Sequence, residues 1–249
     1  MQIIRVEDYE DISKKATEIL LDRIRTAEKL VLGLATGSTP VLTYQYLVKD
    51  HQENQTSYQH VTSFNLDEYI GLPVEDPNSY HTFMDHHLFN HIDIPREQIF
   101  LPNGLADNQQ QACIDYEKQI QNHGGIDLQL LGIGSNGHIG FNEPGTPFDS
   151  ATHIVDLAES TRKANARFFD SIEEVPKQAI TMGIGSILRS KEILLLVSGE
   201  KKSKALARLL EKQVDSQFPA SALHHHAHVT IVADKAALQY TNEKSSVTQ

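Results

Sequence analysis

Short apolar runs alternate with amphipathic stretches along most of the chain. Residues 8–28 place Ile12, Ala16, Leu20 and Ile24 on one helical face, because apolar residues recur there at the spacing of a helical turn. Apolar runs predict strands at residues 30–35, 61–66, 127–133, 153–157, 179–182, 193–197 and 229–233. Amphipathic spacing predicts further helices at residues 78–91, 108–122, 160–169 and 200–213.

These strand runs are almost wholly apolar and are separated by helices. Strands of this kind are typical of a parallel sheet that is covered on both faces. We therefore predict a single α/β domain with a mostly parallel, Rossmann-like sheet and helices on both faces. The domain is expected to span residues 1–240, and residues 241–249 are expected to form a polar C-terminal tail.

Composition and the N-terminal sequence argue against several kinds of partner and cellular location. The chain has 249 residues and a net charge of −11, which argues against a nucleic-acid partner. Its one cysteine, Cys113, cannot form an internal disulfide and favours a reducing, cytoplasmic location. The N-terminus lacks the pattern of a secretory signal, and no apolar run approaches the ~18 residues that span a membrane. We expect neither membrane insertion nor secretion.

The loop after the first apolar strand has the composition of an anion site. It reads Thr36, Gly37, Ser38, Thr39 and Pro40. A glycine lets the backbone approach an anion closely, and free N–H groups at the start of a helix bind it. The alternative is an ordinary strand-to-helix turn, with Pro40 in the first helical turn and Ser38 or Thr39 as its cap.

Two adjacent carboxylates, Asp67 and Glu68, close the second predicted strand. Because side chains alternate along a strand, we expect only one of them to face a site beyond the strand end. That carboxylate would be a candidate general base. A helix cap or a solvated acidic turn is the alternative for the pair.

Five glycines lie within residues 132–145, and His138 and Glu143 lie among them. So many glycines predict unusual backbone dihedrals close to a ligand, and the two side chains form a candidate acid–base pair. Gly132, Gly134 and Gly137 also match the dinucleotide fingerprint G-x-G-x-x-G. That fingerprint needs a helix at the third glycine, and the prolines that follow argue against one.

A histidine run near the C-terminus is the remaining candidate site. It comprises His224, His225, His226 and His228, with no partner at a recognised metal-ligand spacing. We favour a loop or the rim of a site over a metal centre.

In this order, the loops resemble those of the glucosamine-6-phosphate deaminase family, over about residues 30–233. The resemblance rests on residues 32–40, 64–69, 134–144 and 165–169. It implies a fold shared with 6-phosphogluconolactonases, and conversion of glucosamine 6-phosphate to fructose 6-phosphate and ammonia. No metal and no organic cofactor are implied.

The resemblance also implies a role for each matching residue. Asp67 matches the base that moves a proton between C2 and C1 of the opened sugar. His138 matches the residue that opens the ring, with support from Glu143. Asn136 stands where some members have aspartate, which changes the charge beside His138.

The phosphate of the substrate is implied to bind at a second group of residues. Gly37, Ser38 and Thr39 match the phosphate loop, and Arg167 and Lys202 match its basic partners. Lys201 and Lys204 compete with Lys202 for this assignment because they lie close to it in sequence.

Regulation is where the chain departs from some members of that family. Allosteric members bind N-acetylglucosamine 6-phosphate at a basic site between subunits, and the corresponding residues 153–156 lack the expected arginine and lysine. We predict weak or absent activation, and a monomer or a simple homo-oligomer. The family also suggests a lid at residues 157–180.

Two other functions are alternatives to the deaminase interpretation. The first is a 6-phosphogluconolactonase, which would need no base at C2. The second is a sugar-phosphate sensor without catalysis, a class that usually carries a DNA-binding module.

Overall fold

The computed structural model of the chain describes residues 1–166, 169 and 171–241, without the side chains of residues 160, 164 and 165. Its strands are β1 (Gln2–Val6), β2 (Leu30–Leu34), β3 (Val61–Asn65), β4 (Asp67–Tyr69), β5 (Ile99–Phe100), β6 (Leu128–Gly132), β7 (His153–Asp156), β8 (Gln178–Thr181), β9 (Glu192–Val197) and β10 (Val229–Asp234). Its helices are α1 (Tyr9–Thr26), α2 (Val41–Asn54), α3 (Tyr80–His87), α4 (Gln109–Asn122), α5 (Glu159–Asn165), α6 (Ile184–Leu188) and α7 (Ser203–Leu210).

Seven strands form one parallel sheet in the order β1-β10-β9-β6-β2-β3-β5. The interior strands β2 and β3 are buried along their whole length. β2 is an unbroken apolar run, as expected for a covered parallel sheet, whereas β3 also buries Thr62, Ser63 and Asn65. Both faces are covered: α1, α2 and α3 pack on one face, whereas α4, α6 and α7 pack on the other. The predicted fold class, a mostly parallel sheet between two helical layers, is confirmed.

Two predicted strands lie outside the parallel sheet. β7 and β8 pair antiparallel with each other, and β8 pairs antiparallel with β4, which makes a separate three-stranded sheet. The chain leaves β3, passes Leu66 and enters β4 directly, so Asp67 opens a strand of the second sheet. The second sheet therefore begins where the interior strand β3 of the main sheet ends.

Some elements were not expected from the sequence, and two predicted helices have other boundaries in the structure. β1, β4, β5 and α6 were not predicted; β1 and β5 lie at the two edges of the main sheet, where apolar runs are short or mixed. The predicted helix at 200–213 is a 3-10 turn at Glu200–Lys202 followed by α7. Within the predicted helix at 160–169, α5 ends at Asn165. Residues 167 and 168 of the predicted range lie outside the described part.

No helix in the described part of the chain is long and apolar enough to cross a membrane. The division into residues 1–240 and a tail at 241–249 stays a prediction, since residues 242–249 are not described.

Candidate active site

A cleft of about 540 Å³ opens at the carboxyl ends of the main sheet. Its walls are loops that follow β9, β6, β2 and β3, which are consecutive neighbours in the sheet. Parallel strands present their carboxyl ends at one edge, so loops far apart in sequence meet there. The cleft brings together Gly37, Ser38, Thr39, Asp67, Asn136, His138 and Lys202.

Two hydrogen bonds brace the loop after β2 near its ends, and the residues in its middle are exposed. The Tyr44 hydroxyl donates to the Ala35 carbonyl at 2.6 Å, and the Tyr9 hydroxyl donates to the Ser38 carbonyl at 2.9 Å. Gly37 has φ of +91°, a conformation that L side chains rarely adopt, and both Gly37 and Ser38 are exposed. The braces hold an exposed turn in front of α2 without using up its polar groups.

The predicted cap of α2 was wrong. Pro40 occupies the N-cap position itself, and neither Ser38 nor Thr39 caps the helix with its side chain. The Leu42 N–H instead donates to the Tyr9 hydroxyl at 3.3 Å, a partner from α1 that local sequence cannot indicate. The hydroxyls of the loop are therefore not committed to capping.

Glu68 and Asp67 have separate tasks. The Glu68 carboxylate accepts the N–H groups of Tyr80 and His81 at the start of α3, each at 3.0 Å, and the His81 ring at 2.8 Å. It therefore caps α3, as one of the two alternatives proposed. Asp67 faces the cleft, so the expectation that one carboxylate of the pair faces the site is confirmed.

Asp67 is only 6% exposed. Burial and the neighbouring charge of Glu68 raise the pKa of Asp67 to about 8. No donor in the described part of the chain stabilises the ionised form, since both causes act in the same direction. A carboxyl group titrating near neutral pH can accept a proton in one step of a reaction and return it in the next.

The glycine-rich segment is a loop throughout. Residues 133–152 are all described and contain no helix, so the dinucleotide fingerprint lacks the helix that it needs. Buried Asn142 organises the loop: its amide donates to the carbonyls of Ile139 and Met182, at 2.8 and 2.9 Å. A methyl group built on Gly140 would lie 3.7 Å from Oδ2 of Asp67, which shows how closely this loop approaches that carboxylate.

His138 and Glu143 form a pair within this loop. Nδ1 of His138 lies 3.6 Å from Oε1 of Glu143, an ion-pair distance longer than a hydrogen bond. The Asn136 amide donates to Oε2 of Glu143 at 2.6 Å, and the Thr161 hydroxyl donates to Oε1 at 2.9 Å. Nδ1 is buried, so Nε2 is the ring nitrogen left to meet a ligand.

The Glu143 carboxylate is held in its ionised form. Burial by itself raises its pKa, but the His138 imidazole and the donors Asn136 and Thr161 outweigh this effect and lower the pKa to about 2. A carboxylate that stays ionised at all ordinary pH values stabilises positive charge on the imidazole whenever His138 takes up a proton.

Gly134 lies directly beneath the His138 ring, which allows a sharp test of the ring's position. A methyl group at residue 134 would lie 2.3 Å from ring atoms of His138, whereas one at Gly132 would meet nothing within 4 Å. We expect Gly134→Ala to displace the imidazole and to lower kcat/KM by roughly tenfold to a hundredfold.

Gly132→Ala is the matched comparison for Gly134→Ala, because Gly132 also lines the cleft but a methyl group there would not meet the His138 ring. It should lower kcat/KM less than Gly134→Ala does. Circular dichroism and thermal melting of both variants would show whether the fold is kept. Equal activity of the two variants would contradict the assigned position of His138.

Lys202 is the lysine of its segment that lines the cleft. Lys201 and Lys204 are exposed, and the Lys204 ammonium lies 5.6 Å from the ring centre of Tyr240. Burial lowers the pKa of Lys202, and no charged partner among the described residues offsets that burial. A half-buried ammonium without a counter-ion suits an anionic ligand. Arg167, the other predicted basic partner, lies outside the described residues.

Some cleft residues were not singled out from the sequence. Tyr80 lies in a predicted helix, yet its partly buried ring borders Asp67; burial raises its pKa well above the usual range. Thr161 lines the same cleft. Thr181 is paired with Asp67 across the second sheet and accepts the Phe141 N–H at 3.1 Å. None belongs to a local motif, because each reaches the site through long-range contacts.

The histidine run lies away from this cleft. His224 and His226 each pair with a main-chain carbonyl, that of Leu209 and that of Ser190, both at 2.7 Å. No group of three metal-ligating side chains forms within the described residues. His224 and His226 therefore fasten a loop, one of the two predicted roles.

Comparison with known proteins agrees with the geometry of the cleft. The sequence profile of a family described as glucosamine-6-phosphate isomerases/6-phosphogluconolactonase matches residues 7–232. A glucosamine-6-phosphate deaminase of Oceanobacillus iheyensis is 59% identical, covering 96% of both chains. One of Shouchella clausii is 56% identical, covering 98% of this chain and 99% of its own.

Among solved structures, too, a deaminase resembles this chain more closely than a 6-phosphogluconolactonase does. A monomeric glucosamine-6-phosphate deaminase superposes with a TM-score of 0.94 at 51% identity, covering 96% of this chain and 99% of its own. The 6-phosphogluconolactonase of Trypanosoma cruzi has a TM-score of 0.77 at 21% identity, covering 96% of both chains. The second likeness shows a shared fold and no more.

The chain therefore belongs to the family of glucosamine-6-phosphate isomerases and 6-phosphogluconolactonases. Within that family, the relatives with more than half of their residues identical are named glucosamine-6-phosphate deaminases, which confirms the resemblance drawn from the motifs.

Proposed function

We propose that the protein is a glucosamine-6-phosphate deaminase, which converts glucosamine 6-phosphate and water to fructose 6-phosphate and ammonia. One observation carries this proposal: a single cleft holds a buried carboxyl group, a histidine paired with a carboxylate, and a lysine ammonium that has no charged partner among the described residues. These groups match the three demands of the reaction, which are proton transfer between carbons, ring opening and binding of a phosphate.

Ring opening is the first step, and we assign it to His138. The closed sugar has no acidic proton at C2 until C1 becomes a carbonyl group. Opening moves a proton from the C1 hydroxyl to the ring oxygen as the bond between C1 and that oxygen breaks. Nε2 of His138 can carry this proton, and the Glu143 carboxylate stabilises the imidazolium in transit.

Proton transfer between C2 and C1 follows, and we assign it to Asp67. The carboxylate removes the C2 proton while the C1 carbonyl oxygen takes up a proton from the substrate's ammonium group, which leaves an enolamine, and the carboxyl group then returns its proton to C1. C1 becomes a hydroxymethyl group and C2 becomes an imine. Burial keeps bulk water from exchanging the proton between the two half-steps and keeps the carboxyl pKa close to neutral.

Hydrolysis of the imine completes the reaction and breaks the carbon–nitrogen bond. Water adds to C2, ammonia leaves, and the C2 ketone of fructose 6-phosphate remains. Asn136 donates to Glu143 and also accepts the main-chain N–H of His138 at 3.2 Å, so it stabilises the ring-opening pair as a neutral group. The steps assigned here use only protein side chains and water.

Phosphate binding is assigned to Gly37, Ser38, Thr39, Lys202 and Arg167. Remote binding energy of this kind holds the reacting carbons in place beside the base. The exposed turn before α2 and the ammonium of Lys202, which lacks a charged partner within the described part of the chain, support four of these assignments. The role of Arg167 stays a prediction from the resemblance.

We expect Lys202→Ala to raise KM for glucosamine 6-phosphate by roughly 10- to 100-fold, with a smaller change in kcat, because it removes a charged contact to a group that does not react. Lys201→Ala removes the same charge from the adjacent exposed position and serves as the control. Steady-state kinetics of both variants measure the difference. Equal effects would move the phosphate contact away from Lys202.

The assembly and regulation of the protein are also inferred from its resemblance to the family. We propose a monomer or a simple homo-oligomer that is not activated by N-acetylglucosamine 6-phosphate, since residues 153–156 carry no arginine or lysine. Rate curves should be hyperbolic with and without that compound. A sigmoidal curve that the compound makes hyperbolic would contradict this. The cytoplasmic location stays a prediction.

An assay that follows ammonia and fructose 6-phosphate together tests the proposed function. Release of both products in equal amounts supports the deaminase. Absence of both, with hydrolysis of 6-phosphogluconolactone in a parallel assay, would assign the chain to the lactonase branch. Binding of glucosamine 6-phosphate without turnover of either compound would revive the sensor.

A further inference from the structure

Thr161 contacts the ring-opening pair from an element outside the glycine-rich loop. It lies in α5, lines the cleft, and donates its hydroxyl to Oε1 of Glu143 at 2.9 Å. The same oxygen, Oε1, is the atom 3.6 Å from Nδ1 of His138. Thr161 and His138 therefore both lie against the same oxygen of Glu143, Thr161 by a hydrogen bond and His138 at an ion-pair distance.

We propose that Thr161 is a positioning residue for ring opening, which aims the Glu143 carboxylate at His138 and makes that pair depend on the placement of α5. The proposal rests on the deaminase function proposed above.

The hydrogen bonds of Glu143 explain why the threonine decides the geometry. Asn136 holds Oε2 from within the same loop, which leaves rotation of the carboxylate about that contact open. Thr161 holds the second oxygen, so the two donors together define the carboxylate plane. The Glu143–His138 distance is too long for a hydrogen bond, so the imidazole does not fix Oε1 by itself.

α5 is held in turn on its other side. The guanidinium of Arg162, the next residue, donates to the carbonyls of Ile172 and Val175 at 2.7 and 3.1 Å. These contacts bind α5 to the turn that leads into β8, and β8 carries Thr181 opposite Asp67. The position of α5 is thus tied both to the pair that opens the ring and to the strand beside the base.

The chain supplies a matched control for this contact. Thr146 also donates its hydroxyl to Glu143, at 2.7 Å, but to the main-chain carbonyl and not to the carboxylate. Thr161→Val and Thr146→Val therefore make the same chemical change against the same residue. Only Thr161→Val releases the carboxylate.

The test compares two substrates. One is glucosamine 6-phosphate; the other is its analogue without the C4 and C5 hydroxyls, which can close neither a five- nor a six-membered ring and so bypasses ring opening. We expect Thr161→Val to lower kcat on glucosamine 6-phosphate by roughly tenfold or more, to leave the open analogue within about twofold, and to change KM little. Thr161→Ser keeps the hydroxyl and should restore kcat, and Thr146→Val should treat both substrates alike.

Two results would overturn the proposal. Equal losses on the two substrates would mean that Thr161 acts only by packing α5 against the cleft. Failure of serine to restore the rate would exclude the hydroxyl as the active group. Failure of the unaltered protein to turn over glucosamine 6-phosphate would be a different outcome, because it would reject the proposed function itself.

Discussion

Asp67→Asn should abolish nearly all turnover, lowering kcat on glucosamine 6-phosphate by about 10³-fold or more while leaving its affinity within a few-fold. Asparagine has nearly the same shape but cannot accept the C2 proton. The phosphate contacts proposed for Gly37, Ser38, Thr39 and Lys202 are untouched. Single-turnover kinetics and calorimetric binding measure the two effects separately. Retention of more than a tenth of the activity would remove Asp67 from proton transfer and favour the lactonase chemistry.

The raised pKa of Asp67 predicts the pH dependence of the rate. With a pKa of about 8 in the ligand-free protein, Asp67 is mostly protonated at neutral pH and must lose its proton to act as a base. We expect kcat/KM to rise with pH through that region. The substrate's ammonium group, once bound beside Asp67, favours the ionised form and should move the corresponding limb of kcat to lower pH.

The same carboxyl group makes a prediction for stability. The folded protein retains a proton up to pH of about 8, whereas the unfolded chain releases it near the ordinary value of 3.8. Stability contributed by this group is therefore present at low pH and is lost as pH rises from about 4 to about 8. Asp67→Asn avoids the loss, so its melting temperature should exceed that of the parent at pH 8 and match it near pH 4.

His138→Gln is expected to give the second largest loss, about a hundredfold or more in kcat on the closed sugar. Glutamine keeps a polar side chain in the cleft but cannot carry the proton from the C1 hydroxyl to the ring oxygen. The analogue without the C4 and C5 hydroxyls should be spared, because it cannot form a ring and needs no ring opening. Steady-state rates on the two substrates give the ratio directly.

A control for the histidine change is available outside the cleft. His225 is exposed, so His225→Gln should leave both rates unchanged. If His138→Gln reduced turnover of both substrates equally, the imidazole would have a role after ring opening or in binding. That outcome would separate His138 from the step assigned to it, without affecting Asp67.

Much of the site could be predicted from local sequence. Several buried strands, such as β2 and β9, are continuous apolar runs in the sequence, and the segments that follow the strands carry the glycines, Asp67, His138 and Glu143. Since parallel strands end at one edge of a sheet, listing the strand ends was enough to gather the chemistry of four loops. Lys202 was assigned to phosphate binding from the resemblance, but Lys201 and Lys204 stayed alternatives because they lie close to it in sequence.

Other features depended on contacts between distant segments. The hydrogen bond between Thr161 and Glu143 joins residues 18 positions apart, and it is made to the same oxygen, Oε1, that forms the ion pair with His138. Pairing of β7 and β8 with β4 in a second sheet overturned their expected place among the parallel strands. Pairing partners are not encoded in the apolar pattern of a single strand.

By itself, the sequence determined most of the strands and helices along the chain, the parallel character of the main sheet, and the residue types available for proton transfer and anion binding. Those properties follow from burial and backbone preference, which act over a few residues at a time. Only the tertiary structure decided that Asp67 faces the cleft while Glu68 caps α3, and that Lys202 points inward. Side-chain direction and pKa depend on which distant groups surround a residue, and folding alone brings those groups together.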